Sequence, residues 1–157
     1  MQYIGGNPPI SGEHWYSSHF ICGVTVDVAG RALLMDDIAY VDALTGTKEL
    51  LDEADEYSDH ALKVFPWSAS VKGTRGTVFV QRGQLADGIG LLQHSLEECE
   101  ERAERAQQAG WLAIAETRRG NYEAARSYIK IARELQSECS LVARAERAVN
   151  EAGNRAA

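Results

Sequence analysis

The chain has 157 residues, 45% of them apolar and 25% charged, which suits one soluble globular domain with a moderate core. Its net charge is -7, from 16 Lys+Arg against 23 Asp+Glu. A phosphate backbone or an anionic membrane surface calls for clustered positive charge, so neither nucleic acid nor membrane is expected as a partner. Cys22, Cys99 and Cys139 are odd in number and far apart. They predict free thiols in a reducing, cytoplasmic setting. The opening "MQYIGGNPPISGEHW" has neither the basic start nor the apolar core of a signal peptide, and no apolar run reaches membrane-spanning length.

Residues 1–30 read as an irregular or extended N-terminal cover. "GGNPP" and "SGEHWYSSH" are turn-rich. "HFICGVTVDV" alternates and is β-branched, which fits a short strand and equally a buried helix. Trp15, Tyr16 and Phe20 would supply the apolar contact of such a cover. His14, His19 and Cys22 are zinc-binding types, but a tetrahedral site wants a fourth ligand and none follows at a familiar spacing. No metal and no cofactor is expected.

From residue 31 the pattern is helical. "GRALLMDDIAYVDAL" is a candidate first helix, and "ELLDEADEYSDHALKVFP" a second, ended by Pro66. In the second, Ala54 and Ala61 stand seven residues apart. The same spacing separates Gly88 from Ser95, and Ala125 from Ala132. Setting Gly83 on Gly120 places Leu85 on Tyr122, Gly88 on Ala125, Leu92 on Ile129 and Ser95 on Ala132. Upstream, Gly76 falls on Ala113 and Val78 on Ala115. Positions seven apart lie on nearly one helix face, so each small residue marks a place where a neighbouring helix comes close. Leu91, Leu92, Tyr128 and Ile129 would fill the adjoining grooves. Gly76, Gly88 and Gly90 each cost about 1 kcal/mol against Ala inside a helix, which close packing would explain. Gly83 and Gly120 permit the positive φ that separates one helix from the next. Between the copies, "EECEERAERAQQAG" has no Gly or Pro before Gly110. Local signals there allow one helix over 85–119, whereas the repetition requires a break near 99–105. A last helix, 140–152, carries Leu141, Val142, Ala145 and Val149 on one side and should stop at Gly153, leaving a frayed "NRAA".

These residues resemble the tetratricopeptide repeat, a 34-residue helix–turn–helix unit. The resemblance covers about 31–139, with repeat two at 69–102 and repeat three at 106–139; repeat one is degenerate. It implies an all-α fold: an antiparallel helix-hairpin, right-handed solenoid over 31–152, capped by 140–152. It also implies binding of a protein or peptide in the groove lined by the first helix of each repeat. On this chain the groove residues would be Thr77, Val80, Gln81, Gln107, Trp111, Ile114 and Arg118. Some members hold a partner's terminal carboxylate with a basic clamp. Here those positions are Gly73, Thr77, Gly110 and Ile114, so a chaperone tail is not the expected ligand.

Other signals point to chemistry less well. "DGIGLLQ" lacks the third glycine of a dinucleotide loop, and "KGTRGT" lacks the G-K-[ST] of a phosphate loop. Arg75 stands where the repeat usually has Leu; a structural ion pair with Glu53, Asp55 or Asp59 is the favoured reading. Asp36–Asp37 and the acidic run 97–104 could bind a cation, although such charges more often solvate a helix face. The resulting expectation is a non-enzymatic adaptor or scaffold, either free-standing or the detached tail of a larger bacterial protein. The alternatives are a metal-dependent enzyme or regulator using the His/Cys cluster, and a self-assembling subunit forming a homodimer.

Overall fold

The computed structural model describes residues 19–21 and 24–156. Two short strands, β1 (His19–Ile21) and β2 (Val24–Val26), pair antiparallel with His19 opposite Val26. Of the two readings left open for this stretch, the strand holds. Seven helices follow: α1 (Val28–Thr45), α2 (Lys48–Val64), α3 (Ala69–Gln81), α4 (Leu85–Glu98), α5 (Arg102–Arg118), α6 (Tyr122–Leu135) and α7 (Ser140–Ala156). They pack as the pairs α1/α2, α3/α4 and α5/α6, with α7 lying against α5 and α6.

Local chemistry sets the boundaries. Asp27 caps α1 by accepting from the Gly30 amide at 2.7 Å. Helix α2 stops at Val64, two residues before Pro66, whose ring excludes helical backbone just ahead of it. Gly83 and Gly120 adopt φ of 82° and 80°. At both turns the next residue's amide reaches back five positions, Gln84 to the Phe79 carbonyl and Asn121 to Glu116. One turn chemistry is thus used twice. The break between α4 and α5 falls at 99–101, as the repetition requires. Helix α7 runs through Gly153 to Ala156, past its expected stop. A single glycine costs a helix only about 1 kcal/mol, too little to end one unaided.

The small residues meet other helices. Ala54, Ala61, Ser95, Ala125 and Ala132 are fully buried. Gly88 is pressed against α3: an added Cβ would lie 2.8 Å from Val80 Cγ2 and 2.9 Å from the Gly76 carbonyl oxygen. Gly76 is equally constrained by Leu92 and by the Gly88 carbonyl. Gly90 differs from expectation, because open space surrounds it. The main core gathers Val80, Ile89, Leu92, Leu112, Ile114 and Leu141, with Tyr128 and Ile129 packed at its edge. Leu141, Val142, Ala145 and Val149 bury the inner side of α7.

Arg75 is tied down structurally. Its Nη1 donates to Asp55 Oδ1 at 2.6 Å and to the Asp55 carbonyl at 2.7 Å, and its guanidinium lies 4.2 Å from the centre of the Phe79 ring. Asp59 stands at 4.0 Å. The carboxylates of α2 thus satisfy the buried charge that the sequence placed on α3.

Candidate partner-binding groove

The first helices α1, α3 and α5 lie side by side, and a cavity of about 220 Å³ opens between them. Helix α1 lines it with Asp36, Asp37 and Tyr40, and α3 with Ser70, Gly73, Thr74 and Thr77. Helix α5 contributes Glu104, Gln107, Gln108 and Trp111. Among these residues are three carboxylates and no Lys or Arg.

Asp36 is 6% exposed. Thr74 donates its hydroxyl to Asp36 Oδ2 at 3.1 Å, while Oδ1 is buried with no partner. Burial pushes the carboxyl up to about 6; the Thr74 bond opposes this, and the charges of Asp37 and Glu104 add to it. Across the cavity, Gln108 is also 6% exposed, with its Oε1 unpartnered. Its amide rests where Gly73 has no side chain: a Cβ at Gly73 would stand 2.8 Å from Gln108 Nε2. Gly73 therefore admits Gln108 to the wall.

The remaining walls are braced from within. Tyr40 donates its hydroxyl to Gln107 Oε1 at 2.9 Å, joining α1 to α5. Burial raises the Tyr40 pKa, and the neighbouring Trp111 indole partly counters that. The Trp111 Nε1 nonetheless makes no hydrogen bond of good geometry. Trp111 is 1% exposed, and the Arg144 guanidinium of α7 sits 5.3 Å from its ring centre. Glu104 Oε2 accepts from the Cys99 thiol at 3.2 Å. Burial, with Glu104 beside it, holds the Cys99 pKa above its ordinary value, so the thiol remains the donor. Helix α5 has 17 residues against 13 in α3, and counting back from Gly120 and Gly83 puts the extra turn at its start. Glu104 belongs to that turn.

Of the residues expected along the groove, Thr77, Gln107 and Trp111 line this cavity. Val80 and Ile114 lie in the core beneath it. Gln81 and Arg118 form a brace at one end: Gln81 Nε2 donates to the Ala43 carbonyl at 2.6 Å. Arg118 donates to the Val80 carbonyl at 2.5 Å and to Gln81 Oε1 at 2.9 Å. Tyr40 and Gln108 carried no sequence signal of a site. Asp36, Asp37 and Glu104 did, as the acidic doublet and the end of the acidic run, but only the fold brings them together. His14 and Cys22 lie outside the described residues; among those described, no three His, Cys, Asp or Glu side chains are placed to hold a metal ion.

No protein-family profile matches the chain, and no curated protein matches it. Among solved structures it is similar to the Arabidopsis OM64 TPR domain, with a TM-score of 0.61 at 13% identity, over 79% of this chain and 98% of that one. The fold of the seven helices α1–α7 is thus that of a tetratricopeptide-repeat domain. No described helix is long and apolar enough to cross a membrane.

Proposed function

We propose that this protein is an adaptor or scaffold that binds a protein or peptide non-covalently in the groove between α1, α3 and α5. The observation that carries this reading is the cavity itself. Its wall holds buried acceptors, on Asp36 and Gln108, that nothing in the described fold satisfies. Leaving such groups unpaired costs about 1–3 kcal/mol each, a cost that a ligand supplying donors would relieve. The repeat-like fold supports the same reading, since stacked hairpins present an extended surface for partners. The cytoplasmic setting rests on the free thiols of Cys99 and Cys139.

A photo-crosslinking residue placed at Ser70, on the cavity rim, should capture a partner that the same residue at the outward-facing Lys130 does not. With that partner purified, Gln107→Ala should weaken a one-to-one titration and Lys130→Ala should not. Equal capture from both positions, or equal affinities, would place the interaction elsewhere.

A specific observation favours a second element of the reading. Helix α1 leaves Leu34, Ile38 and Val41 exposed at spacings of four and three, with Leu33 and Leu44 beside them. We infer that the segment ahead of α1, residues 1–27, acts as the cover of this first repeat, as terminal repeats of a solenoid need. Self-association through α1 is the competing use of that stripe, and sedimentation equilibrium of the full chain separates the two. A concentration-independent monomer supports the cover, and a dimer supports self-assembly.

A further inference from the structure

Resting on the groove reading above, we propose that the cavity between α1, α3 and α5 is a socket for a cationic head. It takes the guanidinium or ammonium of an Arg or Lys in an extended segment of the partner. Three observations meet here. First, Asp36, Asp37 and Glu104 converge from α1 and α5 with no Lys or Arg among the lining residues, so no cation in the cavity wall offsets their charge. Second, two side chains that are each 94% buried offer lone pairs without a donor, Asp36 Oδ1 and Gln108 Oε1. Gln108 is neutral and on another helix, so its orphaned oxygen is independent of the acidic cluster. Third, no three of the described carboxylate, His or Cys side chains are placed to hold a metal ion. Water could satisfy the two acceptors but would leave the negative charge uncompensated. A guanidinium or ammonium supplies the charge together with several N–H donors.

The first Lys or Arg of the chain is Arg31, which lies on α1 itself, and residues 1–30 contain none. The socket is therefore assigned to a cationic side chain of a partner and not to the segment ahead of α1. The protein's net charge of -7 would draw a basic segment toward it.

The test uses the full chain, labelled with 15N, and follows its three tryptophan indole signals and its backbone amides. The probes are acetyl-Ala-Ala-Arg-Ala-Ala-amide, the same peptide with citrulline in place of Arg, and spermidine. Citrulline keeps the shape and loses the charge. The expected result is a saturable shift of the Trp111 indole and of amides around Asp36, Thr74 and Gln108 with the arginine peptide, at least tenfold weaker with the citrulline peptide. Asp36→Asn and, separately, Glu104→Gln should each weaken the arginine peptide severalfold while the spectrum stays that of a folded protein. Glu104→Gln guards against the chance that the buried substitution disturbs folding.

Failures are distinguishable. Equal binding of arginine and citrulline peptides at these amides overturns the cationic socket and leaves the groove reading standing. Shifts confined to the outer faces of α2, α4 and α6 overturn the groove as well. No response to either peptide at millimolar concentration overturns the socket. Spermidine binding tenfold more tightly than the arginine peptide reassigns the site to a free polyamine and overturns the peptide source.

Discussion

Replacing Asp36 with Asn should make the protein's stability respond to pH differently, by an amount that follows from the cavity. Burial among Thr74, Asp37 and Glu104 raises the Asp36 carboxyl from about 3.8 to about 6. The folded state therefore keeps this proton over a range where the unfolded chain has released it. Where the folded state binds more protons, stability falls as pH rises. The loss begins near pH 4, runs through about pH 6 and then levels off, reaching about 3 kcal/mol from two units at 1.36 kcal/mol each. Between pH 4 and pH 8, about 2 kcal/mol of it should be seen, since part is already present at pH 4. Asn has nothing to titrate, yet its amide oxygen still accepts from Thr74. The stability of Asp36→Asn minus that of the parent should thus rise by about 2 kcal/mol in the variant's favour from pH 4 to pH 8. The other titratable groups facing Asp36 are Asp37, Tyr40 and Glu104, and they are common to both proteins. Urea unfolding followed by circular dichroism at five pH values measures the difference. A constant offset across the range would mean that Asp36 is not held in a desolvated cavity, and both the orphaned oxygen and the socket built on it would fall.

Three further outcomes test the frame around the cavity. Gly88→Ala should destabilise by about 1–3 kcal/mol, because its Cβ meets helix backbone that cannot give way, whereas Gly90→Ala, in open space, should stabilise by about 1 kcal/mol. Thermal or urea unfolding of the pair reads this directly, and a shift of equal sign in both would contradict the packing described. Ala125→Leu and Ala132→Leu, both fully buried, should each cost about 1–3 kcal/mol by overpacking; unchanged thermal midpoints would place those faces at the surface. Deleting residues 1–18 should increase binding of an environment-sensitive apolar dye, with Leu34→Glu and Val41→Glu cancelling the increase. No change on deletion would refute the cover assigned to that segment.

The scaffold was legible because its determinants are local or repeated. Gly83 and Gly120 announce their turns by residue type, and the pairs spaced by seven announce which face meets a neighbour. Even the break at 99–101, invisible to local signals in "EECEERAERAQQAG", followed from the repetition. Gly90 misled for the opposite reason: a glycine needed for close contact and one in open space look alike until the neighbouring helix is placed. The groove was only partly legible. Thr77, Gln107 and Trp111 followed from their place on the first helices. Spacing alone did not foretell that Val80 and Ile114, one helix face away, belong to the core, or that Gln81 and Arg118 brace one another. A helix touched on several sides has no single buried stripe, and α5 is buried almost all round from Gln108 to Thr117. Tyr40 and Gln108 gave no signal, since a polar residue on a helix is unremarkable until its partner fails to appear.

The cavity sits where the chain departs from its own repeat, and the departures depend on one another. Glu104 reaches the groove only because α5 carries an extra turn at its start, the source of the 37-residue spacing between Gly83 and Gly120. Gln108 fits only because Gly73 stands opposite, where a methyl group would meet its amide. Asp36 comes from the first repeat, whose sequence matches the pattern least well. A solenoid built only to be stable would fill this space with apolar side chains, since apolar replacement of buried ionised groups is often neutral or stabilising. Here three local irregularities converge on one space and leave charge and lone pairs unmatched, at a cost in stability. Sites that break local rules together, in a chain otherwise consistent with its fold, are where function is expected to lie. The same logic separates Arg75 from Asp36. Both are buried charges, but Asp55 answers Arg75 within the fold, whereas no Lys or Arg is among the residues that line the cavity beside Asp36.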